Sequence, residues 1–159
     1  MDDPIKFRKM KAGEEKVVSK LVTKTFNEFI APGYSAEGVR EFLRYINPEA
    51  LAQLVKGSCL LLVAEIDDRI VGVILFTSQN RCNHINLLFV DAEYHRRGIA
   101  RGLLNKAIEI LRGLDPNISE ITVNSSPYAV IVYEKLGFQR LDTEQVNNGV
   151  RYTPMELKL

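Results

Sequence analysis

A loop rich in arginine and glycine stands in front of a predicted helix near the middle of the chain. It reads YHRRGIARGLL over residues 94–104, and the apolar spacing of a helix begins at Gly98. The first N–H groups of a helix lack intrahelical partners, and the helix dipole places about half a positive charge at that end. Phosphate groups bind readily there, and Gly98 would let an anion approach the main chain closely. The stretch is equally consistent with tight helix packing at Gly98 beside solvated arginines.

The spacing of the glycines excludes two common phosphate-binding loops. No Gly-Lys-Ser/Thr follows, as a Walker loop requires, and the Gly-x-Gly-x-x-Gly pattern of dinucleotide-binding folds is absent. Nucleic-acid binding is disfavoured because 21 Lys and Arg stand against 20 Asp and Glu, which leaves a net charge of +1. The basic patch of Arg96, Arg97 and Arg101 is therefore local, and no nucleic-acid partner is expected.

The few cysteines and histidines argue against a bound metal. The only cysteines and histidines among the 159 residues are Cys59, Cys82, His84 and His95. Their positions do not have the spacing of metal ligands. Neither cysteine has a sequence neighbour that would activate it as a nucleophile, so buried or half-buried thiols are expected. No segment approaches the ~18 apolar residues that span a bilayer, and the N-terminus lacks the pattern of a signal peptide. These features predict no membrane partner and a cytoplasmic location.

Hydrophobic periodicity predicts the elements that must position the loop. Alternation indicates a strand over residues 5–10, and helical spacing indicates a helix over 13–30, a second helix capped by Ser35, and a short third helix that Gly57 can end. Later segments are predicted as strands at 59–66, 70–76, 84–90 and 120–125, helices at 98–112 and 127–136, and a final hairpin of 138–146 with 150–159.

The element order is summarised as β-α-α-β-β-β-α-β-α-β-β, which indicates one α/β domain over residues 1–159. The strands at 59–66 and 70–76 should form an antiparallel hairpin buried on both faces. The strand, helix and strand between residues 84 and 125 should form a right-handed parallel crossover. The expected fold is a mixed central β-sheet flanked by helices.

A second motif follows the loop after one further strand. The segment SSPYAVIVYEKLGF occupies residues 125–138 and ends in YEKLGF. Together with HRRGIA at 95–100, it resembles the signature of the GCN5-related N-acetyltransferase (GNAT) superfamily, which is Gln/Arg-x-x-Gly-x-Gly/Ala followed by Tyr-Glu-Lys-Leu-Gly-Phe. The element order is similar to that fold over nearly the whole chain. His95 stands where the family most often has Gln or Arg, and Ser126 stands where many members carry Asn.

The resemblance implies that acetyl-CoA is the cosubstrate. Its pyrophosphate would bind the main-chain amides of the loop, and its pantetheine arm would pair with the main chain near Phe89 and Val90. The Ser126 hydroxyl would contact the same arm. The residues implied in cofactor binding are Phe89, Val90, His95, Arg96, Arg97, Gly98, Ile99, Ala100, Arg101 and Ser126.

The same resemblance assigns catalytic roles to Tyr133 and His84. Tyr133 matches the family tyrosine that protonates the leaving thiolate, and a buried helix aromatic is the alternative interpretation. His84 falls where some members carry a carboxylate base. A histidine pKa of about 6.5 suits a base, whereas a polar residue that closes the start of a strand is the alternative. Asn86 shares a strand face with His84 and would orient substrate or water. A main-chain N–H near Val90 would stabilise the oxyanion.

The acceptor site is implied between the first two helices, where the connection APGYS makes Tyr34 a candidate wall residue. A loop tyrosine without that role is the alternative. The expected function is acetyl transfer from acetyl-CoA to a primary amine of a small molecule or peptide by direct attack in a ternary complex. A non-catalytic acyl-CoA-binding regulator of the same fold is the alternative function. Many relatives dimerise, so a homodimer is one expected state.

Overall fold

The computed structural model describes residues 4–57, 59–79 and 82–159. In chain order, the elements are β1 (Lys6–Lys9), α1 (Glu15–Phe29), α2 (Ala36–Tyr45), α3 (Pro48–Lys56), β2 (Cys59–Ile66), β3 (Arg69–Gln79), β4 (Cys82–Val90), α4 (Ile99–Leu114), β5 (Glu120–Ser125), α5 (Val130–Lys135), β6 (Gln139–Arg140), β7 (Gln145–Asn147) and β8 (Val150–Lys158). Short 3-10 turns at Ala31–Gly33 and Ala92–Tyr94 precede α2 and α4. None of the described helices is long and apolar enough to cross a membrane.

The described strands form one mixed sheet in the order β1-β2-β3-β4-β5-β8-β6, and β7 pairs with β8 at its edge. Among these pairings β4 with β5 is parallel, and the others are antiparallel. Helix α4 connects the two parallel strands. The predicted mixed sheet, the β2–β3 hairpin and the parallel crossover are therefore confirmed.

The hydrophobic core lies in two layers, one on each face of the sheet. On one face, α4 packs residues such as Leu103 against Ile74 of β3. On the other face, α1 packs residues such as Val22 against Val73 of β3. Since alternate residues of β3 enter different layers, the strand is apolar along its whole centre, as its unbroken hydrophobic sequence predicts.

Two glycines set how closely α4 lies on the sheet. A Cβ at Gly102 would lie 2.1 Å from Cζ of Phe7 in β1, and a Cβ at Gly72 of β3 would lie 3.0 Å from Ile99. A larger residue at Gly102 would collide with the Phe7 ring unless the helix or the ring moved. The first turn of α4 is therefore held close to the sheet, and the loop before it is held with it.

The first connection contains three described helices, as the helical spacing of this segment predicts, although the summarised element order shows only two. Ser35 accepts a hydrogen bond from the Gly38 N–H (3.1 Å), and Asn47 accepts one from the Ala50 N–H (2.8 Å). Each side chain therefore caps a separate helix, α2 and α3, as Ser and Asn at these positions predict.

The C-terminal elements differ from the prediction at two places. The helix expected from Pro127 is wrong at its start, because α5 begins only at Val130 after a turn in which the Ala129 N–H bonds to the Ser126 carbonyl. The final hairpin is interrupted, because β6 and β7 pair separately with β8. Among the cysteines, Cys59 is half-buried, whereas the expectation for Cys82 is wrong because this first residue of β4 is exposed.

Candidate active site

Strands β4 and β5 separate soon after they begin to pair. Their parallel register consists of His84 with Thr122 and of the next residue of each strand. Beyond that point β4 continues to Val90, without pairing to β5. The two strands therefore enclose an open wedge, and one edge of β4 faces it.

A β-bulge at Asn86 explains where the strands part. Leu75 of β3 lies opposite Leu87, but the next residue, Phe76, lies opposite Ile85. Asn86 is therefore an extra residue on β4. A bulge bends its strand and increases the local twist, so β4 turns away from β5 at this position.

The alternation of the backbone decides which main-chain groups of β4 face the wedge. The Asp91 N–H donates to the Val71 carbonyl of β3 (2.8 Å), so the N–H and C=O of Val90 point to the opposite edge. The same alternation directs the groups of Leu88 to that edge. Nε2 of His95 lies 2.8 Å from the Val90 carbonyl oxygen and occupies this acceptor. An extended ligand in the wedge would thus meet the Val90 N–H and both main-chain groups of Leu88.

The loop between β4 and α4 turns its main chain through two left-handed residues. The φ angle is +65° at Arg96 and +76° at Gly98, the N-cap of α4. Left-handed residues in a turn can direct successive N–H groups to a common point, an arrangement that favours anions. No side chain within the described ranges caps α4, in contrast to α2 and α3. The first amides of α4, from Ile99 onward, therefore remain available to an anion.

Glycine at position 98 is favoured by the backbone conformation of the loop and not by close packing against a neighbour. A Cβ at this position would meet no heavy atom within 4 Å, but the positive φ disfavours any side chain. Packing against the sheet is instead the property of Gly102, one helical turn later. In the segment 94–104, the conformation expected of a phosphate-binding loop thus depends on Gly98, whereas tight helix packing depends on Gly102.

The three arginines near this loop have different surroundings. Arg96 is exposed and lines the cleft described below. The guanidinium carbon of Arg97 lies 5.1 Å from the centroid of the Tyr94 ring. Nη2 of Arg101 donates to the Lys135 carbonyl at the end of α5 (2.8 Å). Arg101 therefore links α4 to α5 across the site, and each arginine adds positive charge beside the exposed amides.

Two adjoining cavities occupy the wedge. The larger is a cleft of about 510 Å³ that includes the loop, the edge of β4 and the first residues of α5. The smaller has about 70 Å³ and extends towards α1 and α2. Both are lined by Ile30, Leu88, Phe89, Ala129 and Tyr133. The cavities therefore meet where the strands part. Within the described residues, no group of His, Cys, Asp and Glu side chains could hold a metal ion.

Tyr133 of α5 lies where the two cavities meet. Its side chain is 6% exposed and packs edge-on against Phe138, with the ring centroids 5.3 Å apart. Burial raises the pKa of its hydroxyl above the usual value of 10.0. The hydroxyl is therefore protonated at neutral pH, as a proton donor must be.

His84 lies at the closed end of the wedge. Its Nδ1 is 2.8 Å from Oγ1 of Thr122, and burial lowers the pKa of the imidazole below 6.5, so the ring is neutral at pH 7. His84 does not line either cavity, whereas Asn86 lines the smaller one. The Thr77 hydroxyl donates to Asn86 Oδ1, and Thr77 is also opposite His84 in the sheet. The His84 and Asn86 side chains therefore lie on one face.

The smaller cavity has an aromatic wall on the side of α1 and α2. Phe42 stacks on Phe26 with a centroid distance of 3.9 Å, and Tyr34 meets Phe26 edge-on at 5.4 Å. Burial raises the pKa of Tyr34, so its phenol is neutral. The opposite wall carries Asn124 and Ser126. Tyr34 thus lines the smaller cavity.

The Ser126 hydroxyl has a structural contact of its own. Its oxygen accepts a hydrogen bond from the Ala129 N–H (3.3 Å) in the turn before α5. This contact leaves the hydroxyl hydrogen available to a ligand, because an oxygen that accepts can still donate. Ser126 lines the smaller cavity, next to the junction.

The sequence did not point to an aromatic pair at the larger cleft. Phe29 at the end of α1 stacks on Tyr128 before α5, with a centroid distance of 4.9 Å, and its ring is 5.7 Å from that of His95. All three line the cleft. Periodicity placed Phe29 on the apolar face of its helix, but it cannot indicate a contact with so distant a part of the chain.

Comparisons with known proteins agree with this geometry. Residues 30–159 match the acetyltransferase (GNAT) domain family. The uncharacterised N-acetyltransferase YafP of Escherichia coli K12 is 37% identical over 101 residues, which are 58% of this chain and 59% of that relative's length. The peptidyl-lysine N-acetyltransferase YjaB of Salmonella typhimurium is 29% identical over 123 residues, which are 77% of this chain and 72% of that protein.

A solved structure extends the similarity to the whole fold. The crystal structure of PaiA N-acetyltransferase from Thermoplasma acidophilum in complex with coenzyme A is similar over 98% of this chain and 99% of that one. The TM-score is 0.83 at 21% sequence identity, a level that establishes the fold alone. Since the family match also covers most of the sequence, this chain belongs to the GNAT family of acetyltransferases.

Proposed function

We propose that this protein is an N-acetyltransferase that transfers the acetyl group of acetyl-CoA to a primary amine while both substrates are bound. One observation carries the proposal. The wedge between β4 and β5 joins the uncapped N-terminus of α4 at one end to Tyr133 and the smaller cavity at the other. Acetyl-CoA matches this arrangement, because its pyrophosphate lies at one end of a long arm and its thioester at the other.

The residues present fit acetyl-CoA as cosubstrate. The pyrophosphate would lie on the amides from Arg96 to Arg101, where the two left-handed residues and the dipole of α4 favour negative charge. The pantetheine arm would pair with the edge of β4 through the Val90 N–H and the Leu88 carbonyl. Phe89 would contribute its side chain, which lines both cavities, and Ser126 its hydroxyl hydrogen.

The reaction forms a bond from the amine nitrogen to the acetyl carbonyl carbon and breaks the carbon–sulfur bond. The acceptor ammonium must first lose a proton, because only the neutral amine has a lone pair. The attacking nitrogen then loses a second proton, and the departing thiolate gains one. The Leu88 N–H, which is near Val90 and faces the same wedge, would stabilise the oxyanion, and Tyr133 would protonate the thiolate as general acid.

His84 is the proposed general base. Its lowered pKa keeps the imidazole neutral at pH 7 and able to accept a proton. Since His84 does not line the smaller cavity, the proton would reach it through water beside Asn86 rather than by direct contact. Asn86 would also orient the incoming amine.

The test is the release of free thiol from acetyl-CoA over a panel of primary amines, with mass spectrometry of the acetylated products. We expect thiol release that depends on the amine and matches the N-acetyl product in amount. Reactions without amine provide the control. Tight coenzyme A binding without thiol release from any amine would contradict the proposal and favour the non-catalytic regulator.

A further inference from the structure

The walls of the smaller cavity differ in chemistry, but the described side chains on both walls are uncharged. Aromatic rings form the wall on the side of α1 and α2, and amide and hydroxyl side chains form the wall on the side of β4 and β5. Of the described residues that line this cavity, none carries a formal charge at neutral pH. An acceptor therefore meets neutral hydrogen-bonding groups on one side and apolar surface on the other.

This composition disfavours an acceptor with a second positive charge. A buried ammonium is costly unless an opposite charge pairs with it, and the cavity offers none among its described lining residues. Aromatic faces can attract cations, but Phe26 is already in contact with Phe42 on one side and with Tyr34 on another. The aromatic wall is therefore better suited to an apolar or aromatic body.

The volume limits the shape of the reacting end. About 70 Å³ is far below the roughly 300–1,000 Å³ of pockets that enclose a whole ligand, so only the reacting end of the acceptor fits. The amino group and the carbon that bears it would enter this space, whereas a branch on that carbon would press against rings already packed together. The rest of the acceptor would lie towards the mouth of the cavity.

We infer that the acceptor is a monoamine whose amino group stands on an unbranched methylene and whose remaining body is uncharged and apolar or aromatic. The inference rests on the proposed acetyl transfer and names the acceptor class for the same site. Polyamines and other acceptors with several positive charges are excluded as preferred substrates.

Two matched pairs of amines test the inference at pH 8. Butylamine and 1,4-diaminobutane differ by the second ammonium, and benzylamine and α-methylbenzylamine differ by one branch. We expect kcat/KM to be about tenfold higher for the first member of each pair. Benzylamine should equal or exceed butylamine.

An engineered charge provides the second test. Asn124→Asp places a carboxylate in the cavity wall without changing side-chain size, and it should raise the diaminobutane-to-butylamine ratio of kcat/KM about tenfold. Asn117→Asp, in the turn before β5, is the matched control and should leave the ratio unchanged.

The outcomes separate the inference from the proposed function. A wild-type preference for diaminobutane, or an unchanged ratio in Asn124→Asp, would overturn the inference alone. Absence of thiol release with every amine would overturn the proposed function, and this inference with it.

Discussion

The two cavities share Tyr133 and four other lining residues but differ in the chemical groups that they present. The larger cleft presents main-chain groups, namely the edge of β4, the loop and the first amides of α4. The smaller cavity presents side chains, among them Phe26, Tyr34 and Phe42 from the first helices and their connection. We therefore expect coenzyme A binding in the larger cleft to tolerate many side-chain changes that keep the backbone conformation, and we expect acceptor preference to change when residues of the smaller cavity are replaced.

Removal of the Tyr133 hydroxyl should have the largest effect on turnover. Tyr133→Phe keeps the buried ring against Phe138 but loses the proposed proton donor, so kcat should fall about 100-fold. Coenzyme A affinity should change less than about twofold, because the ring still fills the space where the cavities meet. Steady-state kinetics and calorimetric titration measure the two quantities.

Tyr152→Phe is the matched control. Its hydroxyl donates to Gln145 in the β7–β8 hairpin, and Tyr152 does not line either cavity. The variant should retain wild-type kcat. If Tyr133→Phe also retained it, the tyrosine would be a structural aromatic alone.

Because the larger cleft presents main-chain groups, we expect coenzyme A affinity to depend more on Gly98 than on Arg97. Gly98→Val forces a β-branched residue to φ +76°, at a cost of about 1–3 kcal/mol, so the loop should leave this conformation. The dissociation constant for coenzyme A should rise about 30-fold, against about threefold for Arg97→Ala. Calorimetric titration of each variant checks the difference.

Gly113→Val is the control for valine itself. Gly113 lies in α4, where an added Cβ meets no atom within 4 Å, and coenzyme A affinity should be unchanged. Equal losses in Gly98→Val and Arg97→Ala would mean that the loop acts as a basic patch.

The pH dependence of kcat/KM tests the link between the smaller cavity and His84. The pKa of His84 is lowered, so its basic form is present above that pKa and is lost as the pH falls through it. The wild type should lose activity at a midpoint below about 6.5, and His84→Ala should lower kcat/KM about tenfold at pH 8 and remove that step.

Thr122→Val is the companion variant, since it removes the 2.8 Å contact but retains the imidazole. Its profile should keep the acidic step with a shifted midpoint. An acidic limb that is identical in His84→Ala and in the wild type would exclude His84 as the base.

The stacked pair of Phe29 and Tyr128 joins α1 to the larger cleft, so its loss should affect both proposed binding sites, but to a smaller extent. Phe29→Ala removes a ring contact of about 1 kcal/mol. The dissociation constant for coenzyme A and the KM for amine should each rise about fivefold. Val17→Ala, an exposed change on the same helix, should alter neither. An effect confined to one of the two constants would assign the pair to that site alone.

Local sequence patterns predicted most of the fold because they depend on neighbouring residues. Ser35 caps its helix through an amide three residues later, and Gly98 stands at the start of α4, as expected. The predicted boundaries of helices and strands were wrong where a short-range contact has no recognisable sequence pattern. The turn at Ser126 delays α5, and the β6–β7 interruption divides the last hairpin.

The amino-acid sequence alone was enough to predict the order of most elements, the position of the loop before α4 and the two motifs typical of the family to which the chain belongs. These features are local, since periodicity, caps and glycines act within a few residues of chain. Three features are visible only in the folded structure: the bulge at Asn86, the bond from His95 to the Val90 carbonyl and the meeting of the two cavities at Tyr133. Each depends on how strands or helices distant in sequence come together in space.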